Sequence, residues 1–458
     1  MEILAGSQNG LRSSGTVNVI TKSQDKFQSE KIQREQVGFV HQDDNLFAML
    51  SVRETLTLSA NLKAINAGNH SSSKNVHSAV AETLQILGLA GVADSMVGVG
   101  GINSNVKERR KDTLSAKAND TSINRQKGSG LGATRISGGE RKRLAIGSEV
   151  ISTGQADTSR VHLLVVDEPT SGLDSYQALR VIRVLKELSQ SRGLAVVCTI
   201  HQPRTSIFEL LDDLLLLTPL GKPAYYGPRA EALDYFSKLG FECPPFTNPA
   251  EFLIDLVSLD YDNTASRISS EERIQTLVEK FESNIRPPSP EADVTSIAAT
   301  DIVKDVPSIK WRPFSFSPAR AIDRAVRRFG LLLQRAMRQV MRDDAVNISR
   351  VSVFVILAFL IGKVFGSPAE GGFSQKSVSK RVNVIANAAI NVAMLSMIKT
   401  LQIVKREKVV VDRERAQGLY SASEYLLSKV VAELPFDSLA AAVHCFLYGS
   451  KHFSIMKW

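Results

Sequence analysis

Short apolar runs alternate with longer helical patterns from the start of the chain to about residue 220. The runs at 161–166 and 194–200 are rich in β-branched residues, and the stretch 176–188 between them has helical periodicity. Strands that alternate with helices in this way build a parallel sheet whose faces the helices cover. The sequence therefore predicts an α/β domain in the front half of the chain.

Length, cysteine usage and charge limit the class of protein. A chain of 458 residues has room for two or three domains, each able to bury its own core. Its three cysteines, Cys198, Cys243 and Cys445, have no C-x-x-C spacing, which argues against a disulfide framework or a zinc site. The formal net charge of +9 is compatible with a nucleic-acid partner or with an anionic membrane surface.

Two polar segments interrupt the pattern. Residues 99–134 contain no aromatic side chain and are rich in glycine, serine, asparagine and basic residues, a composition typical of a disordered basic insertion. Residues 258–317 are polar and contain closely spaced prolines, which favours a linker over a packed domain. We therefore expect a first domain over 1–257 that contains the insertion and is followed by the linker.

The back of the chain is first amphipathic and then apolar. Residues 318–350 place apolar side chains on one side of a helix and arginines around them, the pattern of a helix that lies along a membrane surface. Three apolar stretches follow at 351–366, 382–404 and 425–449. Because crossing a bilayer core takes about 20 such residues, they predict about three helices of a partial transmembrane domain over 351–458. The alternative is that they are buried helices of a soluble domain.

The chemistry of the front domain is concentrated after one apolar strand. The run 163–166 ends in Asp167 and Glu168, and α/β sheets bind ligands at the carboxyl ends of their strands. In such a site Asp167 would hold Mg²⁺ through its water shell and Glu168 would accept a proton from an attacking water. A solvated strand end is the alternative interpretation of the two carboxylates.

Two further patterns flank that strand. Ser137 is a good helix N-cap, and Gly138 and Gly139 after it let backbone N–H groups approach an anion. His201 follows the next apolar run. Taken alone, the glycine pair could be an ordinary turn and the histidine a structural residue.

The order of these segments resembles the nucleotide-binding domain of ABC transporters. Residues 137–141 resemble the signature motif, 163–168 the Walker B strand, 171–174 the D-loop, and Gln42 and His201 the Q-loop and the switch histidine. Other segments resemble the G subfamily, the White and pleiotropic-drug-resistance type, namely 140–143, 199–203, 225–227, 248–252, 412–415, 418–420 and 432–435. The resemblance covers nearly the whole chain except the insertion and the linker.

The resemblance implies a fold, a reaction and a set of site residues. The fold is an α/β P-loop NTPase-like domain without its first strand and phosphate loop, followed by an all-α transmembrane domain. The reaction is hydrolysis of ATP with Mg²⁺, in which Glu168 and His201 act on the nucleotide and Asp167 and Gln42 hold the metal through water. Ser137, Gly138 and Gly139 would contact ATP held by a facing domain, and Asp174 is a further nucleotide-binding residue.

The resemblance also implies partners and a location. A half-transporter of this kind pairs with another, as a homo- or heterodimer, and exports a lipid, sterol or other hydrophobic molecule without any nucleic-acid partner. The chain would be an integral membrane protein. Basic clusters before the first apolar stretch and after the second place those flanks, and with them the nucleotide domain, in the cytosol.

The chain departs from the family in one motif. No G-x-x-x-x-G-K-[ST] occurs in it, and that loop is the main cradle for nucleotide phosphates. Because 1–6 resemble the helix that follows the loop, we expect that the loop was cut off rather than mutated, and that the membrane domain is likewise incomplete. Two other interpretations stay open: a non-catalytic fragment or subunit, and a soluble ABC ATPase that acts on nucleic acid.

Overall fold

The computed structural model describes eight stretches of the chain, namely 18–23, 26–31, 37–68, 73–98, 135–151, 161–284, 318–365 and 375–449. The insertion predicted over 99–134 lies outside the described residues, as does the part 285–317 of the predicted linker. The chain divides into two compact units. The first consists of Met1–Val165 and Ala319–Trp458, and the second of Val166–Pro318.

The described strands of the front half form a hairpin and a sheet. Strands β1 (Asn18–Ser23) and β2 (Lys26–Lys31) pair antiparallel. Strands β3 (Val37–Val40), β4 (Leu163–Val166) and β5 (Ala195–Cys198) lie side by side in that order. Every residue of β4 is buried, as a continuous apolar run predicts for a strand covered on both faces. The predicted alternation of short strands with helices is present.

Three helices of the first unit pack on one another, and the third of them also packs on β3. They are α1 (Val52–Asn66), α2 (Ser73–Ile86) and α3 (Gly138–Val150). Helix α1 begins at a capping box, in which the Ser51 hydroxyl accepts from the Glu54 amide and the Glu54 carboxylate accepts from the Ser51 amide. This exchange satisfies two backbone donors that a helix start leaves unpaired, which explains where the helix begins.

The second unit continues from the end of β4. Helix α4 (Ser175–Arg192) ends at Gly193, whose φ of 61° is a left-handed conformation that glycine adopts without steric cost. After β5 come the short helix α5 (Thr205–Phe208) and the antiparallel strands β6 (Asp213–Leu217) and β7 (Pro223–Pro228).

Helices α6 (Ala232–Lys238), α7 (Pro249–Val257) and α8 (Thr264–Asn284) complete the second unit. The sequence predicts a linker over all of 258–317, and this prediction is wrong for the residues of α8. Its Leu277 is buried in the same apolar cluster as residues of β7, α6 and α7. The apolar residues of α8 recur at helical spacing among many charged residues. The average composition of 258–317 is polar, and for this reason it does not predict the helix.

The helix predicted over 318–350 is shorter than expected. Helix α9 (Pro318–Arg342) ends at Arg342, and the residues from Asp344 onward belong to the next helix. Its amphipathic character is present, but much of the apolar side packs on protein. Ile322 and Val326 near its start are exposed. The residues buried in clusters with other parts of the first unit are Leu332, Ala336 and Val340.

Three long helices follow in the first unit. They are α10 (Asp344–Phe365), α11 (Gln375–Ala416) and α12 (Ala422–Gly449), and the three apolar stretches of the sequence fall on them. In the part of the chain that the structure describes, none of the helices is sufficiently long and apolar to cross a membrane.

Candidate functional site

The chain turns sharply where β4 ends. Asp167 and Glu168 are half-buried beyond the strand, and Pro169 after them is buried. Glu168 has a φ of 41°, a left-handed conformation that costs a residue other than glycine about 1–3 kcal/mol. A residue before proline is restricted further. Such strain persists only where the surroundings hold it, and it is typical of functional sites.

Thr199 holds this turn from the neighbouring strand end. Its hydroxyl donates to Oδ1 of Asp167 at 2.7 Å and accepts from the Glu168 amide at 2.9 Å. Its own amide donates to the Val166 carbonyl at 3.1 Å. Thr199 lies in the family motif over 199–203, and that motif alone predicts no role for its hydroxyl. The available signal was a hydroxyl residue at a strand end beside a strand that ends in two carboxylates.

His201 lies two residues beyond Thr199 and is exposed. The next residue, Gln202, has a φ of 45°, so the chain turns sharply here as well. The turn is fixed from another part of the second unit, because the Asn248 side-chain amide donates to the Pro203 carbonyl at 2.9 Å. The structure therefore brings the predicted residues Asp167, Glu168 and His201 to the ends of neighbouring strands.

Asp174 begins the helix that leads from β4 to β5. Its Oδ1 accepts from the amides of Tyr176 at 3.0 Å and Gln177 at 2.9 Å, which makes it the N-cap of α4. Gly172 just before it has a φ of 70°, so this turn also requires a left-handed residue. The binding of a nucleotide by Asp174 stays a prediction.

In the first unit, the predicted signature motif forms the start of α3. Ser137 is the N-cap: its hydroxyl accepts from the Glu140 amide at 3.3 Å, and Oε2 of Glu140 accepts from the Ser137 amide at 2.8 Å. Ser137 and Gly138 are exposed, whereas Gly139 is buried. An exposed helix start with its amides and dipole favours an anion.

Gln42 follows β3 in the same unit, and its side chain is exposed. The segment around it is anchored to α3 by Lys142, whose side chain is only 1% exposed. The Lys142 ammonium donates to the Gln42 carbonyl at 2.7 Å and pairs with the Asp44 carboxylate at 2.8 Å. Burial raises the pKa of Asp44, and the Lys142 ammonium opposes that rise. No local sequence pattern predicts this role of Lys142.

The far end of α3 contacts the region after α11. Nζ of Lys63 donates to the carbonyls of Ser148 and Glu149 at 2.9 and 2.5 Å, and Gln417 donates to the Glu149 carboxylate at 2.7 Å. One helix thus carries the predicted anion site at its start and touches residue 417 at its end. Burial lowers the pKa of the Lys63 ammonium.

Helix α9 contributes a buried charge to the same region. The Arg335 guanidinium donates to the Glu414 carboxylate at 2.8 Å and to the Tyr420 hydroxyl at 3.3 Å. It also lies over the ring of Phe47, 4.1 Å from its centroid. Burial raises the pKa of Tyr420, and the Glu414 carboxylate raises it further. This cluster joins α9 to the segment before α1 and to the end of α11.

The residues at the end of β4 fit a Mg²⁺ ion bound with a nucleotide. Within the described residues there is no group of three or more His, Cys, Asp or Glu that could hold a metal alone. Mg²⁺ does not need such a cage, because it is usually bound through one or two carboxylates together with substrate phosphates and water. The hydrogen bond from Thr199 uses one oxygen of Asp167, and a carboxylate has a second.

Family profiles match most of the chain. The profile described as ABC transporter matches residues 1–171, and two profiles described as ABC-2 type transporter match residues 201–280 and 327–449. The chain therefore contains both kinds of region that define an ABC transporter, an ATP-binding region and an ABC-2 type membrane region.

Curated relatives specify the subfamily. The chain is 36% identical to ABC transporter G family member 7 of Arabidopsis thaliana over 403 residues, which are 88% of this chain and 48% of that protein. It is 28% identical to the broad substrate specificity ATP-binding cassette transporter ABCG2 of Mus musculus, over 90% of this chain and 57% of that protein. It is 29% identical to protein white of Drosophila melanogaster, over 87% of this chain and 50% of that protein.

These matches confirm the resemblance of the chain to the G family of ABC transporters that its motifs show. The chain spans about half the length of the curated relatives that it matches. The solved structure of cbiO1 from Clostridium perfringens, part of the ABC transporter complex cbiONQ, aligns with 45% of this chain and 62% of that chain at 18% identity and a TM-score of 0.30.

Proposed function

We propose that the protein is an ATP-driven exporter of a lipid, sterol or other hydrophobic molecule. The observation that carries the proposal is the grouping of Asp167, Glu168 and His201 at the ends of neighbouring strands, where α/β sheets bind ligands. In this role Glu168 accepts a proton from the water that attacks ATP. Asp167 would hold Mg²⁺ through water, and His201 would contact the nucleotide. Bound Mg²⁺ would neutralise charge on the transferred phosphoryl group.

The exposed start of α3 supports an assembly of two nucleotide domains. Ser137 and Gly138 are accessible to a ligand, and their helix start favours an anion. We assign these residues, with Gly139, to the phosphates of ATP held by a second half-transporter, which is either another copy of this chain or a related one. Asp174 would lie at the same interface.

The buried contacts of α9 support coupling between the nucleotide and membrane regions. Leu332 and Arg335 of α9 pack with Phe47 before α1, and with Leu419 and Tyr420 before α12. A movement of α1 or α3 would therefore reach the start of α12 through packed side chains. Closure on ATP and opening after hydrolysis would switch the membrane helices between two states.

The test of the proposal is the hydrolysis of ATP by the purified protein in lipid bilayers. Glu168→Gln keeps the shape of the side chain and removes the base, so ATP turnover should fall by about 10²–10⁴-fold while nucleotide binding stays. The matched control is Glu187→Gln, which changes an exposed glutamate of α4 and should leave turnover unchanged. Full turnover by Glu168→Gln would contradict the assignment.

A second candidate function is a non-catalytic subunit, favoured by the missing G-x-x-x-x-G-K-[ST]. Against it stands the grouping of Asp167, Glu168 and His201 at the ends of neighbouring strands, which a subunit without turnover does not need. The assay of ATP hydrolysis separates the two functions, because a non-catalytic subunit would show no turnover that Glu168→Gln removes.

The region 351–449 supports a membrane location with the nucleotide domain in the cytosol. Large apolar side chains on all three long helices are exposed in the structure, among them Val351, Ile356, Ile390, Met397 and Leu439. Burying each such side chain is worth about 1.5–3 kcal/mol, so a lipid or protein cover is favoured. In microsomes, a glycosylation acceptor placed near residue 371 should be modified and one near Lys408 should not. Modification of both or neither would contradict this topology.

A further inference from the structure

The hydroxyl of Thr199 hydrogen-bonds both the Asp167 carboxylate and the amide of Glu168. It donates its proton to Oδ1 of Asp167 and accepts the Glu168 N–H with a lone pair. A hydroxyl has one proton and two lone pairs, so it can make both bonds at the same time.

The two bonds act on different parts of the turn. The bond to Asp167 fixes the direction in which its carboxylate points, and a charged acceptor makes that bond stronger than a neutral one. The bond from the Glu168 amide holds the backbone at the residue with a φ of 41°. Without it, a half-buried donor would lose its partner at the strained position of the turn.

Thr199 is itself fixed by the sheet. Its amide donates to the Val166 carbonyl, so the hydroxyl is placed by the pairing of β5 with β4 and not by a flexible loop. The same short segment leads to His201. The Thr199 hydroxyl thus connects the end of β4, where Asp167 and Glu168 lie, with the end of β5, which leads to His201.

We propose that Thr199 is a positioning residue for the metal and water of ATP hydrolysis, an inference that rests on the proposed function. It would act through Asp167, whose carboxylate it orients and which would hold the hydrated Mg²⁺. It would also act through the backbone of Glu168, whose carboxylate would accept a proton from water. Supporting groups of this kind typically change metal affinity or activity by about 10–100-fold when removed.

The test compares Thr199→Val, which keeps the shape and removes the hydroxyl, with Thr199→Ser, which keeps the hydroxyl. The purified full-length chain in detergent is titrated with Mn²⁺ in the presence of ATP, and bound Mn²⁺ is measured by electron paramagnetic resonance. Thr199→Val should weaken Mn²⁺ binding by about 10–100-fold, and Thr199→Ser should restore most of it. The matched control is Thr276→Val, at an exposed threonine of α8 whose hydroxyl bonds within its own helix.

A second measurement does not depend on nucleotide. Amide hydrogen exchange of a peptide that covers 166–175 should be faster in Thr199→Val than in the wild type, and Thr199→Ser should restore protection. Faster exchange with unchanged Mn²⁺ binding would overturn the proposal, since the hydroxyl would then be structural only. If Thr199→Val does not fold, the proposal is tested on Thr199→Ser alone. A folded Thr199→Ser variant that binds Mn²⁺ no better than unfolded protein would also overturn the proposal.

Failure of the proposed function and failure of the role of Thr199 give different results. If the wild-type chain binds no Mn²⁺ with ATP, the proposed function fails and the role of Thr199 fails with it. If the wild type binds Mn²⁺ and Thr199→Val binds it equally well, only the role of Thr199 is overturned.

Discussion

Asp167 and Glu168 stand at the end of β4 with their side chains half-buried, whereas Glu414 in the other unit is buried and pairs with the buried Arg335. The first pair of acidic residues lies on a strained turn and is held through a neutral hydroxyl. The carboxylate of Glu414 meets a guanidinium and a phenol in a packed interior. The two regions contain the same chemical group in opposite surroundings.

The difference separates carboxylates that can take part in chemistry from those that support structure. A carboxylate beside an open strand end can exchange protons with water and bind a hydrated ion. A carboxylate buried with arginine cannot do so without leaving a buried charge unpaired, which is costly. Motifs point to the first kind, and only the packed structure identifies the second.

The largest expected effect lies in the buried pair. Arg335→Met should destabilise the protein by about 3–5 kcal/mol, because it leaves the Glu414 carboxylate buried without its cation. The double variant Arg335→Met with Glu414→Leu should recover much of that loss, since replacing a whole buried pair by apolar residues is often nearly neutral. Denaturant unfolding of the purified protein measures both.

The control for that prediction is Arg327→Met. Arg327 is about half exposed and pairs with Asp323 one turn away on the same helix, and exposed pairs of this kind contribute about 0.5 kcal/mol or less. If Arg335→Met cost no more than Arg327→Met, the contrast between buried and exposed charges would break down.

Much of the fold and part of the site are predictable from the sequence. The apolar run of β4, the capping serine of α3 and the order of motifs locate Asp167, Glu168, Ser137 and His201, because strand period and cap chemistry are local. The partners of Arg335 and Lys142 are not predictable in this way. They come from segments about 80 and 100 residues away in the chain, and no local pattern encodes such a pairing.

The linker illustrates the same limit. Prolines and charged residues dominate the composition of 258–317, so the composition predicts an unpacked linker. The four apolar residues that bury one side of α8, namely Ile274, Leu277, Val278 and Phe281, are spaced as a helix requires. Their burial depends on the surface that β7 and α7 present to them, and the sequence of α8 does not contain that information.

A smaller effect is expected at Lys142, which anchors the segment of Gln42. Lys142→Met should cost about 2–3 kcal/mol, because a hydrogen-bonded buried charge is lost and Asp44 is left without its cation. The loss should shrink as pH falls through the pKa of Asp44, since burial already raises that pKa and protonation removes the unpaired charge. Unfolding measured at several pH values tests this, and Lys142→Met with Asp44→Asn should be nearly independent of pH in that range.

The smallest effect concerns Glu54, a carboxylate of the same unit whose pKa shifts in the opposite direction. Its hydrogen bond from Arg342, with Oε2 at 2.6 Å from the guanidinium, lowers the pKa of Glu54. A lowered pKa means that the pair adds stability above the ordinary glutamate pKa of 4.5 and loses it as pH falls through the folded value. The difference in unfolding midpoint between the wild type and Arg342→Gln should therefore be constant near neutral pH and vanish in acid. Arg324→Gln, at an exposed arginine of α9, should show no such pH dependence. A difference between wild type and Arg342→Gln that persisted in acid would mean that Arg342 stabilises α9 by packing, and Glu54 would then no longer contrast with Asp44.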